Sequence, residues 1–180
     1  MRRRYFTAAA LPFLLAACAT DPARSYLGGV GVSLRGAAMN APFQFGDLSR
    51  WHGQPDRAAL AIVQIEYLAE TLANDSYWNQ KVSPLVTMQM ERARDEAREA
   101  LGIASGAQPE LVMRQLRQAA QSLQDGQRGA AVEALGGPAF SLGGEGTLRA
   151  LSSLPRLPRS AEAAGAVNAE ITRLDNERNR

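Results

Sequence analysis

The chain has 180 residues, with 20 Lys and Arg against 18 Asp and Glu, one histidine and one cysteine. This length suffices for one hydrophobic core and does not require two domains. The single cysteine excludes an intrachain disulfide, and the usual Cys/His zinc sites cannot be built within one chain. No GxGxxG or Walker pattern is completed either, so we expect neither a metal site nor a cofactor.

The start of the chain has the layout of an export signal. Arg2, Arg3 and Arg4 form a basic region, and an apolar stretch follows from Ala8 to Leu15. A membrane-spanning helix needs about 20 apolar residues, and this stretch is much shorter. A basic region, a short apolar region and small residues before a cut are typical of a cleaved signal peptide.

The export segment closes on Leu15-Ala16-Ala17-Cys18. This sequence resembles the lipobox of bacterial lipoprotein signals, which reads Leu-Ala-Ala/Gly-Cys. The resemblance implies that a signal peptide over residues 1–17 is cleaved and that Cys18 carries a thioether-linked diacylglycerol. Residues 18–25 are then the lipidated N-terminus and tether, residues 26–180 the domain, and the membrane a partner. An ordinary secretory signal with a chance cysteine is the alternative.

The lipobox resemblance also predicts the location. In enteric-type lipoproteins, an Asp after the acylated cysteine resembles an inner-membrane retention signal, whereas this chain has Ala19. We therefore expect the outer membrane, with the domain facing the periplasm. Without the three signal arginines, 17 basic residues face 18 acidic ones, so the mature chain has no electrostatic reason to bind nucleic acid.

The mature chain is expected to be all-α, because hydrophobic spacing follows the helical period and no stretch shows sustained strand alternation. A glycine-rich helix is predicted within Tyr26–Asn40, followed by an aromatic loop over Pro42–Gly53 with a short turn after Asp47. Pro55 then begins the strongest helix, which runs to about Asn74, since proline suits the first helical position. Apolar residues around much of its circumference predict a central, mostly buried helix.

Three more helices are predicted before residue 136. They begin at Ser83-Pro84, at Pro109 (ending before Gly126) and at Arg128 (ending at Leu135). The charged side of the first, over residues 91–99, is expected to be solvated. The hairpin formed by the other two is somewhat similar to a tetratricopeptide hairpin, but its Trp, Leu-Gly and Tyr signature and a repeating period are missing. Two amphipathic bundle helices are the favoured interpretation.

The C-terminal part is predicted to contain a loop at Gly143–Gly146, a short helix over Thr147–Ser153 and an extended connector at Leu154–Pro158. Two prolines make this connector unsuited to a helix interior. Ser160 is expected to cap the last helix. The whole is therefore predicted to be an irregular bundle of about five to six helices in a single domain.

Candidate catalytic residues are few. A serine triad would have to combine His52 with an acid such as Asp47 and with Ser49 or Ser33, and the GxSxG pattern is absent. A second candidate is a pair of glutamates, Glu66 and Glu70, which lie four residues apart on one face of the central helix. Paired carboxylates can do acid–base chemistry if burial separates their pKa values. They could equally lie at the solvated edge or meet an arginine.

The aromatic residues are the better candidate for binding. Phe43, Phe45 and Trp51 precede the central helix, whereas Tyr77 and Trp78 follow it. A helix of this length is about 30 Å long, so the two clusters are expected at opposite ends. Each cluster either plugs one end of the core or presents an exposed anchor for a partner. Our candidate binding residues are Phe43, Phe45, Trp51 and Trp78.

These features favour a non-enzymatic interaction or structural role at the cell envelope. An envelope protein or peptidoglycan is the expected partner besides the membrane. Two alternatives stay open: a carboxylate-dependent enzyme that acts on envelope polymers, and a small helical-repeat adaptor of the tetratricopeptide kind.

Overall fold

A computed structural model describes residues 33–178. This part of the chain forms eight α-helices and one 3-10 helix, Leu48–Trp51, and its only β-type pairing is an isolated bridge between Ile103 and Phe140. The helices are α1 (Leu34–Phe45), α2 (Pro55–Asn74), α3 (Ser76–Lys81), α4 (Pro84–Leu101), α5 (Pro109–Gln124), α6 (Arg128–Ala134), α7 (Gly143–Ser152) and α8 (Pro158–Arg178).

The predicted all-α class is confirmed, with somewhat more helices than the five to six expected. The additional elements are short, because α3 has six residues and the 3-10 helix four. The predicted signal peptide, the lipidated Cys18, the tether and the first residues of the predicted 26–40 helix lie outside the described residues.

Helix α2 is the centre of the bundle. It begins at Pro55 and ends at Asn74, as predicted, and every residue from Ala61 to Ala69 is buried. Helices α1, α4, α5 and α7 all pack against it. Helix α8 covers one side by packing on α1 and α4, whereas α5, α6 and α7 pack in succession on the other side.

The neighbours of α2 run antiparallel to it. Gln64 on α2 donates a hydrogen bond to the carbonyl of Ala37 near the start of α1, and Gln124 at the end of α5 lies 3.4 Å from Asp56 at the start of α2. Helix α4 ends at Leu101 and is capped by Gly102, whose φ of +63° is a left-handed conformation that glycine adopts without strain. The chain turns at Gly102 and continues through a loop to the start of α5 at Pro109.

The predicted aromatic loop is partly wrong. Helix α1 begins after its cap at Ser33 and continues through Pro42 to Phe45. Proline removes a helical hydrogen bond, and here the burial of Ala38, Ala41 and Phe45 outweighs that loss because these residues fill the inner face of α1. The predicted turn after Asp47 is present as the 3-10 helix.

Two C-terminal boundaries also differ from the prediction. Residues 143–146 form the first turn of α7 rather than a loop, since the lack of a side chain at Gly144 lets α7 approach α6 closely. The last helix starts at Pro158, so Ser160 lies inside it and is buried. Its backbone N–H and hydroxyl both donate to Glu96 of α4, at 2.8 Å and 3.0 Å.

Gly144→Ala is expected to destabilise the fold by about 1–3 kcal/mol, as overpacking of a tight contact does. A Cβ atom there would lie 2.0 Å from the carbonyl oxygen of Val132. The matched control is Gly165→Ala on the exposed side of α8, where no atom lies within 4 Å. This control should gain about 0.5–1 kcal/mol from helix propensity. Urea unfolding of the two variants measures both changes in stability. Equal stabilities would contradict the close contact between α7 and α6 at Gly144.

Candidate functional site

The carboxylate pair on α2 is divided between a buried and a partly exposed position. Glu66 is only 1% exposed, and both of its oxygens accept from Arg98 of α4, at 2.6 Å from Nε and 2.7 Å from Nη2. The remaining Arg98 nitrogen donates to the carbonyls of Ser105 and Ala107, at 2.8 Å and 3.1 Å. Burial raises the pKa of the Glu66 carboxyl above its ordinary value, and the hydrogen bonds and charge of Arg98 oppose this rise.

Glu70 is also held by an arginine of α4. It lies 3.5 Å from Arg94 and accepts a 2.8 Å hydrogen bond from Asn74. The prediction that the charged side of α4 is solvated is therefore only partly correct. Arg98 is buried and Arg94 is half-buried. The signal for this was a glutamate within an otherwise apolar helix, which requires a buried cation nearby. Both carboxylates serve to join α2 to α4.

Arg98→Ala should lower the free energy of unfolding by about 3–5 kcal/mol, because it leaves the Glu66 carboxylate buried without a partner. The double variant Glu66→Leu/Arg98→Met should recover most of that loss, since replacement of both charges by apolar groups is often neutral. Denaturant unfolding of the three proteins measures this.

The control for Arg98 is Arg128→Ala, which breaks the exposed bidentate ion pair with Glu145. Exposed pairs contribute little, so its melting temperature should stay close to wild type. A double variant no more stable than Arg98→Ala would show that the guanidinium acts through its carbonyl contacts alone.

The residues of the suggested serine triad do not form one. Asp47 accepts from the hydroxyl and backbone N–H of Ser49, at 2.6 Å and 3.1 Å, and so caps the 3-10 helix. Ser33 caps α1 in the same manner. His52 is exposed, and its side chain has no hydrogen-bond partner among residues 33–178. The described part of the chain also lacks a cluster of His, Cys, Asp or Glu that could hold a metal ion.

The aromatic cluster before α2 is divided between core and surface. Phe45 and Trp51 are buried, and the Trp51 indole N–H donates to the carbonyl of Gln44 at 2.8 Å. Phe43 is 54% exposed, with its ring edge-on to Trp51 at 5.9 Å and beneath the Arg50 guanidinium at 3.9 Å. Phe45 and Trp51 therefore plug the core at this end, and Phe43 alone of the three is accessible.

The second aromatic cluster follows α2, at its opposite end. Trp78 is half-buried and Tyr77 is exposed, with their rings edge-to-face at 5.0 Å. The Arg35 guanidinium lies 5.4 Å from the Trp78 ring, and the Lys81 ammonium lies 5.1 Å from the Tyr77 ring. This cluster is therefore a mixed aromatic and cationic surface.

Trp51→Ala should cost about 3–5 kcal/mol of stability, in the range of large aromatic truncations in a core. Phe43→Ala should change stability little, because more than half of that side chain is already in water. Thermal melts followed by circular dichroism compare them. An unperturbed Trp51→Ala melt would show that the 3-10 helix does not close the bundle.

A polar groove, which the sequence analysis missed, runs along α2 between α1 and α5. It consists of two cavities, of about 430 Å³ and 140 Å³, that are both lined by Leu60. We call this the amide–arginine groove. Its main lining residues are Asn40, Gln44, Arg57, Leu60, Gln64, Arg114, Arg117, Gln118 and Gln121.

The α5 wall of the groove carries its positive charge. Arg114 and Arg117 form no ion pair within the described residues, whereas Arg57 lies 3.9 Å from Asp56. The residues at 114, 117, 118 and 121 have the three- and four-residue spacing of one helix face. This stripe of arginine and glutamine is the one feature of the sequence that indicates the groove. It lies on the polar side of α5, whereas helices are predicted from the spacing of their apolar residues.

Comparison with protein-family models, curated proteins and solved structures finds no match to this chain. Among residues 33–178, none of the helices is long and apolar enough to cross a membrane. The function must therefore be inferred from the residues themselves.

Proposed function

We propose that this protein is a lipid-anchored lipoprotein of the cell envelope whose helical domain binds a partner without catalysis, facing the periplasm from the outer membrane. The lipobox resemblance at Leu15–Cys18 supports the anchor. The observation that carries the binding role is the amide–arginine groove, because it combines open volume with two guanidinium groups that form no ion pair among residues 33–178.

The groove chemistry suits an acidic peptide-like ligand. Arg114 and Arg117 can each form bidentate hydrogen bonds with a carboxylate. The amides of Asn40, Gln44 and Gln118 offer both donors and acceptors to peptide groups. Leu60 contributes an apolar side chain to the lining of both cavities. Carboxylate-bearing peptide chains occur in envelope proteins and in the peptide part of peptidoglycan.

The groove also favours binding over catalysis. Among the described residues that line it, there is no Asp, Glu, His, Cys or Ser that could act as nucleophile or general base. Elsewhere, both oxygens of Glu66 are held by Arg98, so the carboxylate-enzyme alternative would require a broken ion pair. The α5–α6 hairpin packs on α2 and α7 as bundle helices do, which supports a bundle over a repeat adaptor.

The anchor is tested by Cys18→Ser in a bacterial host. Wild-type protein should incorporate labelled palmitate and sediment with outer membranes, because acylation of one residue by several chains gives a lasting anchor. The variant should lose the label and either leave the membrane fraction or accumulate as precursor. Palmitate incorporation in the variant would contradict the anchor.

The groove is tested by Arg114→Glu/Arg117→Glu in the full-length protein. Co-sedimentation with isolated sacculi probes peptidoglycan, and a photoreactive amino acid at Gln118 probes protein partners in cells. The capture that wild type shows should weaken by about tenfold or more, since a charge-assisted hydrogen bond contributes about 1.5–3 kcal/mol.

The matched control is Arg92→Glu/Arg156→Glu, two exposed arginines outside the groove with the same change of net charge. It should bind as wild type does. Equal loss in both double variants would indicate non-specific charge, and unchanged binding in the groove variant would exclude the groove.

A further inference from the structure

The end of the bundle that carries Trp78 exposes aromatic, aliphatic and cationic side chains together. We define this Trp78 end by Arg35, Tyr77, Trp78, Lys81 and Leu85. Tyr77 is 52% and Leu85 56% exposed, and Lys81 is exposed between them in sequence. Amphipathic side chains such as Tyr, Trp and Lys are favoured where an apolar phase meets a polar one.

The polar groups of the Tyr77 and Trp78 side chains are not used within the described part of the chain. Within residues 33–178, neither the Trp78 indole N–H nor the Tyr77 hydroxyl has a hydrogen-bond partner, whereas the Trp51 indole N–H is satisfied by Gln44. Tryptophan and tyrosine with one apolar side and one free polar group are enriched at membrane–water interfaces. The two tryptophans therefore differ, because the indole N–H of Trp51 is hydrogen-bonded inside the domain and that of Trp78 is not bonded within residues 33–178.

The chain from Cys18 enters the domain at this same end. Ser33 caps α1, and the Arg35 guanidinium two residues later lies over the Trp78 ring. Ser33 lies fifteen positions after Cys18, so the chain between them spans at most about 50 Å when fully extended. A lipid on Cys18 would therefore keep the Trp78 end within this distance of the bilayer surface.

The charges at the Trp78 end are mostly neutralised within the domain. Arg35 forms an ion pair with Asp175, and Arg173 pairs with both Glu170 and Glu177. Contact with lipid would therefore depend on aromatic and aliphatic insertion more than on attraction to anionic headgroups. Lys81 can extend its ammonium to the headgroups while its methylene chain lies along the apolar side.

We propose that the Trp78 end is a lipid-contacting surface, on which Trp78, Tyr77 and Leu85 enter the interface of the bilayer that holds the acylated Cys18. This inference rests on the proposed lipid anchor. It orients the domain: Leu60 lies fourteen residues before Asn74 on α2, so the amide–arginine groove is centred about 20 Å along the helix from the lipid surface.

The experiment uses the full acylated protein in neutral phosphatidylcholine vesicles with brominated acyl chains, which quench tryptophan at the interface. Trp51 and Trp78 are the only tryptophans. Wild-type fluorescence should fall relative to unbrominated vesicles, and Trp78→Phe, which retains Trp51 alone, should lose most of that quenching. Tyr77→Ala/Leu85→Ala should also reduce it, because insertion becomes weaker.

The matched control is Phe43→Ala, which removes an exposed aromatic side chain at the opposite end and should leave quenching unchanged. Circular dichroism melts establish that each variant is folded. Quenching in Trp78→Phe as strong as in wild type, or no quenching of wild type, would overturn the lipid-contacting surface.

Vesicle flotation separates the two proposals. Protein that floats through Cys18 but shows no quenching of Trp78 retains its anchor and loses only the lipid-contacting surface. Protein that is neither acylated nor floats overturns both.

Discussion

The buried ion pair between Glu66 and Arg98 is the constraint from which the arrangement of α2, α4 and α5 follows. A carboxylate in an apolar helix is tolerated only when a cation is placed against both oxygens, so α4 can pack on α2 in one register. The third nitrogen of the same guanidinium binds two carbonyls of the following loop. The loop then determines where α5 begins, and α5 forms one wall of the amide–arginine groove.

Helix α8 is held by a reciprocal arrangement with α4. Glu96 of α4 accepts from backbone N–H groups in the first turn of α8, and Glu170 of α8 accepts from the N–H of Ser83 beside the start of α4. Each antiparallel helix thus supplies a carboxylate to the positive N-terminal end of the other. The pKa of Glu170 is held below its ordinary value by Arg173, with a contribution from the Ser83 N–H, so this carboxylate stays ionised while it makes the contact.

Local signals were sufficient for three of the four helices that begin with proline. The fourth, α8, begins at Pro158, which lies in the predicted extended connector. Pro55, Pro84 and Pro109 each start a helix where expected, because proline fits the first turn whatever surrounds it. The other boundaries depend on long-range packing. Pro42 lies within a helix because α1 buries its inner face in the core. Gly144 lies within a helix because α7 packs closely against α6 there. The groove is formed by residues of α1, α2 and α5 together. The spacing of residues along any single helix can therefore indicate only one wall, the arginine and glutamine stripe of α5. The separation of Phe43 from Phe45 likewise follows from which side of α1 faces α2.

The two proposed surfaces are compatible because α2 separates them. The Trp78 end lies beyond its last residue, where the chain from Cys18 arrives, whereas the groove opens along its first half, around Arg57 and Leu60. A domain that rests on lipid through the Trp78 end therefore leaves the arginines of α5 open to the periplasm. The two surfaces also differ in chemistry, since aromatic rings with free polar groups suit an interface and guanidinium groups among amides suit carboxylates. One helix length thus separates the proposed attachment surface from the proposed recognition surface, and neither has to be uncovered for the other to act.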